Sequence, residues 1–420
     1  MQGQLLDAAT AAAALGIQRP TLYAYVSRGL LRSHRREGDR RSWFDPADVE
    51  RLRRRGRTAE GTPAGDVTIR SAVTLIADGR FWYRAHDAVQ LATTATFEQV
   101  AELLWTGELA AAAPQWPSSP ALTALGGRLR AALGRRATSS DLVRTAVPAL
   151  AARDPLRTDL RPEAVARMGR QLLPSVVALL AGPGAAQPEP FAGTADALWT
   201  AIAPAPPPPG GVDALQAALV LLADHELAAS TSAVRIAASF RADPYAAVSA
   251  GLAVLSGAYH GAASVVVDRF LAEVESRGDA KSVIGEWLGR GDHIPGLGQV
   301  LYPDGDPRAP VLLQRARTLA SAGEQHAGVP GGGAGRGAVA AADEVIEVAA
   351  RSGLPPPNVD FALATLARTL GWVDRAGEVV FTVARMAGWL AHAIEEYEAR
   401  SDLRLRAVYV GPRPSPATWH

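Results

Sequence analysis

The sequence predicts an all-α fold, in which a large helical body follows a small amino-terminal unit. Apolar residues recur at three- and four-residue intervals over residues 97–104, 141–150 and 164–180, and this period is typical of amphipathic helices. No alternating pattern of the kind that indicates strands is longer than a few residues. The length of 420 residues suggests two or three domains.

Composition excludes several classes of protein. A formal net charge of +1 argues against a globally basic nucleic-acid coat protein, and the absence of cysteine excludes disulfides and thiolate metal sites. The amino terminus has no signal-peptide pattern, and the apolar run at residues 217–223 stops at Asp224, too short to span a bilayer. We therefore expect a cytoplasmic protein without membrane contact. We also predict no metal site, because six of the histidines are scattered: His34, His86, His293, His326, His392 and His420.

Residues 1–57 form the amino-terminal unit. Residues 5–15 are rich in alanine and predict a short helix, and Pro20 suits the first position of a second helix that ends at Gly29. The segment LGIQRPTLYAYVSRGLL is similar to the helix-turn-helix of MerR-type and excisionase-like DNA-binding domains, and the following RSHRREGDRRSWF looks like a hairpin wing. The sequence thus predicts a small winged helix-turn-helix domain.

That resemblance implies that the second helix enters the major groove of DNA while the wing follows the phosphate backbone. The candidate contacts are Arg19, Thr21, Tyr23 and Arg28 on the helix, and Arg32, Arg35, Arg36, Arg40 and Arg41 on the wing. Two alternatives stay open: the arginines are merely solvated, or the unit docks on the helical body or on a protein partner. The unit lacks the long dimerisation helix typical of MerR proteins, so any dimer has to come from the rest of the chain.

Residues 58–65 predict a linker, because they are small, polar and without periodicity, and residues 66–420 form the helical body. Within the body, the glycine-rich segment at residues 329–338 lacks the lysine of a P-loop, and we predict a flexible loop there. The alternative is a loop that reaches a phosphorylated cofactor through Arg336.

Two histidines, His225 and His260, bracket a stretch of small and apolar residues with helical spacing. Glycines on both sides of His260 predict a turn that presents this side chain instead of burying it. A third element places Asp360 after a proline-rich loop, just before a predicted helix. A single histidine of this kind is most often a core residue, and an aspartate near a helix start is usually only a cap.

Four motifs in order, HELAAST, LSGAYHGAA, GDPRA and NVDFALA, resemble the citrate synthase family, and the segment around Tyr83 and Arg84 is similar to the family's amino-terminal part. The resemblance implies a two-domain helical body in which a smaller subdomain, roughly residues 262–365, closes over a cleft. It further implies a homodimer that condenses an acyl-CoA, such as acetyl-CoA, with a 2-oxo acid such as oxaloacetate, without a permanently bound cofactor.

The resemblance also assigns roles to individual residues. Asp360 would be the base that removes a proton next to the thioester carbonyl, and His260 would donate a hydrogen bond to that carbonyl. The residues that would hold the oxo acid are His225, Arg308, Arg385 and Arg404, of which Arg404 would reach the partner subunit's site. Arginine suits this role because its planar fork matches a carboxylate.

The sequence departs from the family pattern at one catalytic position. Gln299 stands where the family has a histidine that polarises the keto carbonyl, and a glutamine amide can donate a hydrogen bond but cannot carry a proton. Val300 and Pro303 also differ from the residues that relatives often carry at these positions. At the position of Pro303, relatives often carry a basic residue near the CoA phosphates. A second hypothesis therefore stays open, in which the body is a catalytically weak metabolite sensor that presents paired DNA-binding units.

Overall fold

A computed structural model of the chain describes residues 5–15, 22, 33–35, 42–46, 48–49, 69–117, 120–181, 193–257, 263–322, 332–400 and 403. The backbone forms two compact units. The first comprises Met1–Arg70 and Leu405–His420, and the second comprises Ser71–Arg404. The predicted boundaries at residues 57 and 65, and the predicted subdomain at roughly 262–365, stay predictions.

The first unit contains a three-stranded antiparallel sheet and one described helix. Its elements are β1 (Leu6–Asp7), α1 (Ala8–Leu15), β2 (Ser33–Arg35) and β3 (Ser42–Phe44), with the strand order β1-β3-β2. A small core holds them together, formed by Ala11, Ala12, Leu22, Phe44 and Val49. β2 and β3 lie at the two ends of the segment predicted to be a wing, but most of the predicted helix-turn-helix lies outside the described residues.

The second unit begins with a second antiparallel sheet, made of β4 (Thr74–Ala77), β5 (Arg80–Tyr83) and β6 (His86–Asp87). Asp78 and Gly79 connect β4 to β5 with φ angles of +48° and +71°. This geometry belongs to the two-residue hairpin turns that Asp-Gly favours. The prediction of an all-α chain was therefore wrong for these short segments, where Asp-Gly was the available hairpin signal.

The rest of the second unit is helical, so the prediction of a mostly helical body is confirmed. Its helices are α2 (Ala88–Thr94), α3 (Phe97–Thr106), α4 (Pro120–Leu133), α5 (Ser139–Ala151), α6 (Pro162–Ala181), α7 (Thr194–Ile202), α8 (Gly211–Leu222), α9 (Ala229–Ser239), α10 (Pro244–Leu255), α11 (Ala263–Arg277), α12 (Ala280–Gly289), α13 (Arg308–Ala322), α14 (Gly332–Arg351), α15 (Val359–Thr369) and α16 (Ala376–Ala399).

Helix α16 is the central helix of this unit. It is buried along almost its whole length and packs against α6, α8, α9 and α10, as expected of a helix that lacks a polar face.

Helix α6 is long and apolar enough to cross a membrane by length and composition alone, but 78% of its apolar segment is buried inside the protein. It therefore packs as a core helix of the second unit.

From Gly332 onward, the glycine-rich segment differs from its predicted form, because Gly332 begins helix α14, and residues 329–331 lie outside the described residues. The reason is close helix packing. A Cβ atom at Gly335 would lie 2.7 Å from the carbonyl oxygen of Thr369 at the end of α15. Glycine allows α14 to approach α15 closely, at some cost in intrinsic helix stability.

Candidate active site

The turn after helix α8 carries the first predicted site residue, His225. Its Nε2 atom lies 3.0 Å from the hydroxyl of Tyr302, and only 7% of the residue is exposed. Burial lowers the pKa of His225 well below its usual value, and the nearby charges of Arg308 and Arg385 lower it further. His225 is therefore a neutral imidazole near neutral pH.

Arg308 begins helix α13 and is 2% exposed. Its Nε and Nη2 atoms donate to the two carboxylate oxygens of Asp306, each at 2.8 Å. Burial disfavours the guanidinium charge, but Asp306 more than offsets this and keeps the pKa of Arg308 above its usual value. Because Asp306 also accepts the backbone N–H of Val359 at 3.0 Å, it joins this arginine to the start of α15.

Arg385 comes from the middle of α16 and is 1% exposed. Its Nε atom donates to the carbonyl oxygen of Leu222, at the end of α8, at 3.0 Å. Its guanidinium also lies 4.6 Å from the ring centroid of Phe381. Burial lowers the pKa of Arg385, while the carboxylates of Asp224 and Asp360 oppose this change. The end of α8 thus orients both Arg385 and the turn that carries His225.

Asp360 is the second residue of α15, and the helix cap is its neighbour Asn358. The Asn358 side chain accepts the backbone N–H groups of Asp360 and Phe361 at 3.0 and 3.2 Å. The Asp360 carboxylate is therefore not used as a cap, which removes the simplest structural explanation for it. Loss of hydration raises its pKa to about 6, with Arg308 and Arg385 opposing the shift and Asp306 adding to it.

Gln299 lies in a loop held against the same end of α15. The Gly298 N–H donates to the Pro356 carbonyl at 2.8 Å, and the Asn358 amide donates to the Gly298 carbonyl at 2.9 Å. The Gln299 side-chain oxygen accepts the N–H of Leu301 at 3.4 Å. This long contact leaves the amide NH2 as the group that can donate to a ligand.

Four predicted residues, His225, Arg308, Asp360 and Arg385, form one electrostatic cluster. The two arginines act on the pKa values of both His225 and Asp360. His260 and Arg404 lie outside the described residues, so the predicted meeting of His260 with Asp360 stays a prediction. The predicted DNA contacts also lie outside them, apart from the backbone of Arg35 in β2.

Two site residues were not anticipated: Asp306, which stands in the GDPRA motif that carries Arg308, and Tyr302, which lies shortly before that motif. Tyr302 is 1% exposed and contacts His225, with its ring centroid 5.8 Å from the Arg308 guanidinium. Asp306 precedes Arg308 by two residues and pairs with it on both oxygens. The position of Asp306, two residues before the predicted ligand Arg308, was the sequence signal that could have identified it as the partner of this arginine.

Among the described residues, no group of three or more His, Cys, Asp and Glu side chains could hold a metal ion. The cluster instead combines two buried guanidinium groups with a neutral imidazole and a carboxyl group of raised pKa. Such a set can bind a dianionic ligand and remove a proton from a carbon acid next to it.

The family model described as "Citrate synthase, C-terminal domain" matches residues 60–406, which is most of the chain. The chain belongs to the citrate synthase family. Members of this family are acyltransferases that take the acyl group from CoA. The resemblance found in the four motifs is thereby confirmed at the level of the family.

Several relatives of this citrate synthase family member cover most of its length. It is 30% identical over 370 residues to citrate synthase 2 of Bacillus subtilis, covering 83% of this chain and 95% of that protein. It is 29% identical over 354 residues to 2-methylcitrate synthase of Mycobacterium tuberculosis, covering 78% and 84%.

Solved structures of citrate synthases share the fold. The enzyme of Thermoplasma acidophilum, solved as a ternary complex with carboxymethyl coenzyme A and oxaloacetate, matches with a TM-score of 0.68 at 24% identity, covering 84% of this chain and 96% of that one. The enzyme of Pyrobaculum aerophilum matches with a TM-score of 0.69 at 24% identity, covering 83% and 91%.

Proposed function

We propose that this member of the citrate synthase family condenses an acyl-CoA with a 2-oxo dicarboxylic acid such as oxaloacetate. The observation that carries the proposal is the placement of Asp360, whose pKa is raised to about 6, beside Arg308 and Arg385. A carboxylate with a pKa near the working pH is a good general base. Two buried guanidinium groups close to it suit the carboxylates of an oxo acid.

Each group has a separate task in this reaction. Asp360 takes a proton from the carbon next to the thioester carbonyl, while His260 donates a hydrogen bond to the oxygen that becomes negative. The resulting enol attacks the keto carbon, forming one carbon–carbon bond. Water then hydrolyses the thioester and releases CoA as a free thiol.

The oxo acid is held by the remaining residues of the cluster. Asp306 accepts from the Nε and Nη2 atoms of Arg308, so Nη1 is the atom that Arg308 offers to a substrate carboxylate. Arg385, His225 and, from the partner subunit, Arg404 complete the binding set. Gln299 supplies a hydrogen bond to the keto oxygen through its amide NH2.

A thiol-release assay tests the proposal with acetyl-CoA and propionyl-CoA, each against several 2-oxo acids. We expect turnover with at least one pair, and a loss of about a hundred- to ten-thousandfold in Asp360→Asn, since the general base is removed. Asp304→Asn is the matched control, because this exposed aspartate lies outside the cluster. Absence of turnover with every pair, in folded protein that binds both ligands, would contradict the proposal.

We also propose that residues 1–57 bind DNA and that the helical body acts as a metabolite sensor that regulates this binding. The observation that favours it is the antiparallel pairing of β2 with β3 on either side of an arginine-rich segment. Footprinting on genomic fragments tests it at low salt, where arginine–phosphate contacts are strongest. The idea fails if no fragment is bound under that condition, and docking of residues 1–57 on a protein surface would then replace it.

A further inference from the structure

A chain of buried polar side chains runs beneath the turn that carries His225. Arg235 of α9 is 2% exposed, and its Nη1 atom donates to Nδ1 of His392 on α16 at 2.8 Å. The Nε2 atom of His392, a fully buried residue, lies 3.3 Å from an oxygen of Asp224. Asp224 is also fully buried and directly precedes His225.

The donors in this chain define the state of the His392 imidazole. A guanidinium group donates hydrogen bonds and accepts none, so Nδ1 of His392 must be the acceptor from Arg235. The imidazole proton then lies on Nε2, which donates it to Asp224. Arg235 is in turn held by Glu395 and Glu396, with N–O distances of 2.7 Å to each carboxylate. The ring of His392 is therefore fixed in one tautomer and one orientation.

Asp224 links the fixed His392 side chain to the turn that carries His225. Its Oδ2 atom also accepts the Thr74 hydroxyl at 2.5 Å and the backbone N–H of Glu226 at 3.2 Å. Its backbone carbonyl accepts the hydroxyl of Tyr83 at 3.0 Å. Side chain and backbone of Asp224 are thus both fixed immediately before His225.

The residue after His225 shows why the turn needs this support. Glu226 has a φ of +55°, a left-handed conformation that costs a residue other than glycine on the order of 1 kcal/mol. Such a conformation persists only where the surroundings hold it. Here the Asp224 carboxylate holds the Glu226 N–H, and the orientation of His225 towards Tyr302 depends on that contact.

We propose that His392 is a positioning residue for the oxo-acid site, because it holds the turn that presents His225 by donating to Asp224. The inference rests on the proposed function, in which His225 binds the oxo acid. His392 itself does not touch the substrate. Its removal should weaken binding of the oxo acid selectively, whereas a purely structural role would lower thermal stability without that selectivity.

The test measures the Kd of oxaloacetate by calorimetry for His392→Phe, His392→Gln and the reference variant His225→Ala. We expect His392→Phe to bind oxaloacetate about ten- to a hundredfold more weakly, as is usual when the partner that orients a ligand-binding group is lost. His392→Gln keeps an amide donor and should recover at least half of that loss on a logarithmic scale. The Kd of acetyl-CoA should stay within about twofold of wild type in all three, because the turn belongs to the oxo-acid half of the site.

Thr74→Val provides a milder second probe in case His392→Phe does not fold. This variant removes one hydrogen bond to Asp224, and it should weaken oxaloacetate binding by roughly three- to tenfold. Thr194→Val is its matched control, since Thr194 is fully buried and its hydroxyl has no hydrogen-bond partner among the described residues. Thr194→Val should bind oxaloacetate as wild type does.

The outcomes separate the two proposals. Wild-type oxaloacetate binding in His225→Ala contradicts the role of His225 in the proposed function. Weakened binding in His225→Ala together with wild-type binding in folded His392→Phe and Thr74→Val overturns the positioning role alone. Equal loss of oxaloacetate and acetyl-CoA binding in His392→Phe also overturns it, because that result describes general damage to the fold.

Discussion

At the scale of single residues, Asp360 carries a testable pH dependence. The proposed base works only when deprotonated, and its pKa is raised to about 6. We expect kcat/KM to fall about tenfold per unit as pH drops below about 6, and to level off above it. A pH–rate profile of the free enzyme measures this. An acidic limb near pH 4, the usual range for aspartate, would contradict the shift.

The same pKa shift should make Asp360 destabilising when it is charged. Below pH about 4 the carboxyl is protonated in both folded and unfolded chains, so it imposes no penalty there. Above pH about 6 it is ionised in both, and the full penalty applies. We therefore expect Asp360→Asn to raise the free energy of unfolding on the order of 1–2 kcal/mol at pH 8, discounted for residual solvent contact. Denaturant titrations at pH 8 and pH 4 compare the two proteins, and the difference should vanish at pH 4.

Gln299 offers a gain-of-function prediction at the same scale. If the glutamine is the only deficit of the site, Gln299→His should raise citrate formation from acetyl-CoA and oxaloacetate by about tenfold or more. Steady-state rates of citrate formation by the wild type and by Gln299→His test this prediction. An unchanged rate would show that the pocket differs elsewhere, and Val300 and Pro303 are the first residues to examine. Val300, 95% exposed, stands next to Gln299 on the same loop.

At the scale of secondary-structure elements, the contact of α16 with the turn after α8 depends on one glycine. The Gly388 N–H donates to the Ala223 carbonyl at 3.0 Å. A Cβ at this position would lie 2.5 Å from that carbonyl oxygen and closer still to Asp224. We expect Gly388→Ala to destabilise the protein by about 1–3 kcal/mol, as overpacking usually does, and to weaken oxaloacetate binding.

Gly285 on α12 provides the matched control for that prediction. A Cβ there meets no atom within 4 Å, so Gly285→Ala should raise stability by about 0.5–1 kcal/mol, as alanine does in a helix. Thermal unfolding of both variants makes the comparison. Equal effects of the two substitutions would show that helix propensity, and not the close contact with Asp224, controls position 388.

The elements show which local patterns could be predicted. Long amphipathic helices such as α5 and α6 were expected within two residues of their observed ends, because their apolar periodicity reflects the face they bury. The glycine-rich start of α14 was expected to be a loop, since composition reports intrinsic preference and not the close packing of Gly335 on α15. Tertiary contact outweighed local propensity there.

At the scale of the whole molecule, the sequence allowed the ligand-binding and catalytic side chains of the site to be predicted. It did not allow the distant residues that hold those side chains in place to be predicted. The motifs pointed to His225, Arg308, Asp360 and Arg385, which the fold brings into one electrostatic cluster. The contact of His392 with Asp224 joins residues 168 positions apart. In the sequence alone, His392 was one of several scattered histidines, because no local pattern around it indicates that it contacts Asp224.

The quaternary prediction can be tested through Arg404, which would complete the active site of the partner subunit. Arg404→Ala and Asp360→Asn should each inactivate a homodimer. In a hybrid dimer, one site combines the intact Asp360 of one subunit with Arg404 of the partner subunit, and the other site carries both defects. The purified hybrid is therefore expected to recover about half of wild-type activity, and an unsorted equal mixture of randomly assorted subunits about one quarter. The mixture is made by co-expression with two different tags, and activity is measured on the doubly purified hybrid and on each parent. If Arg404 acts within its own subunit, the hybrid should stay as inactive as its parents.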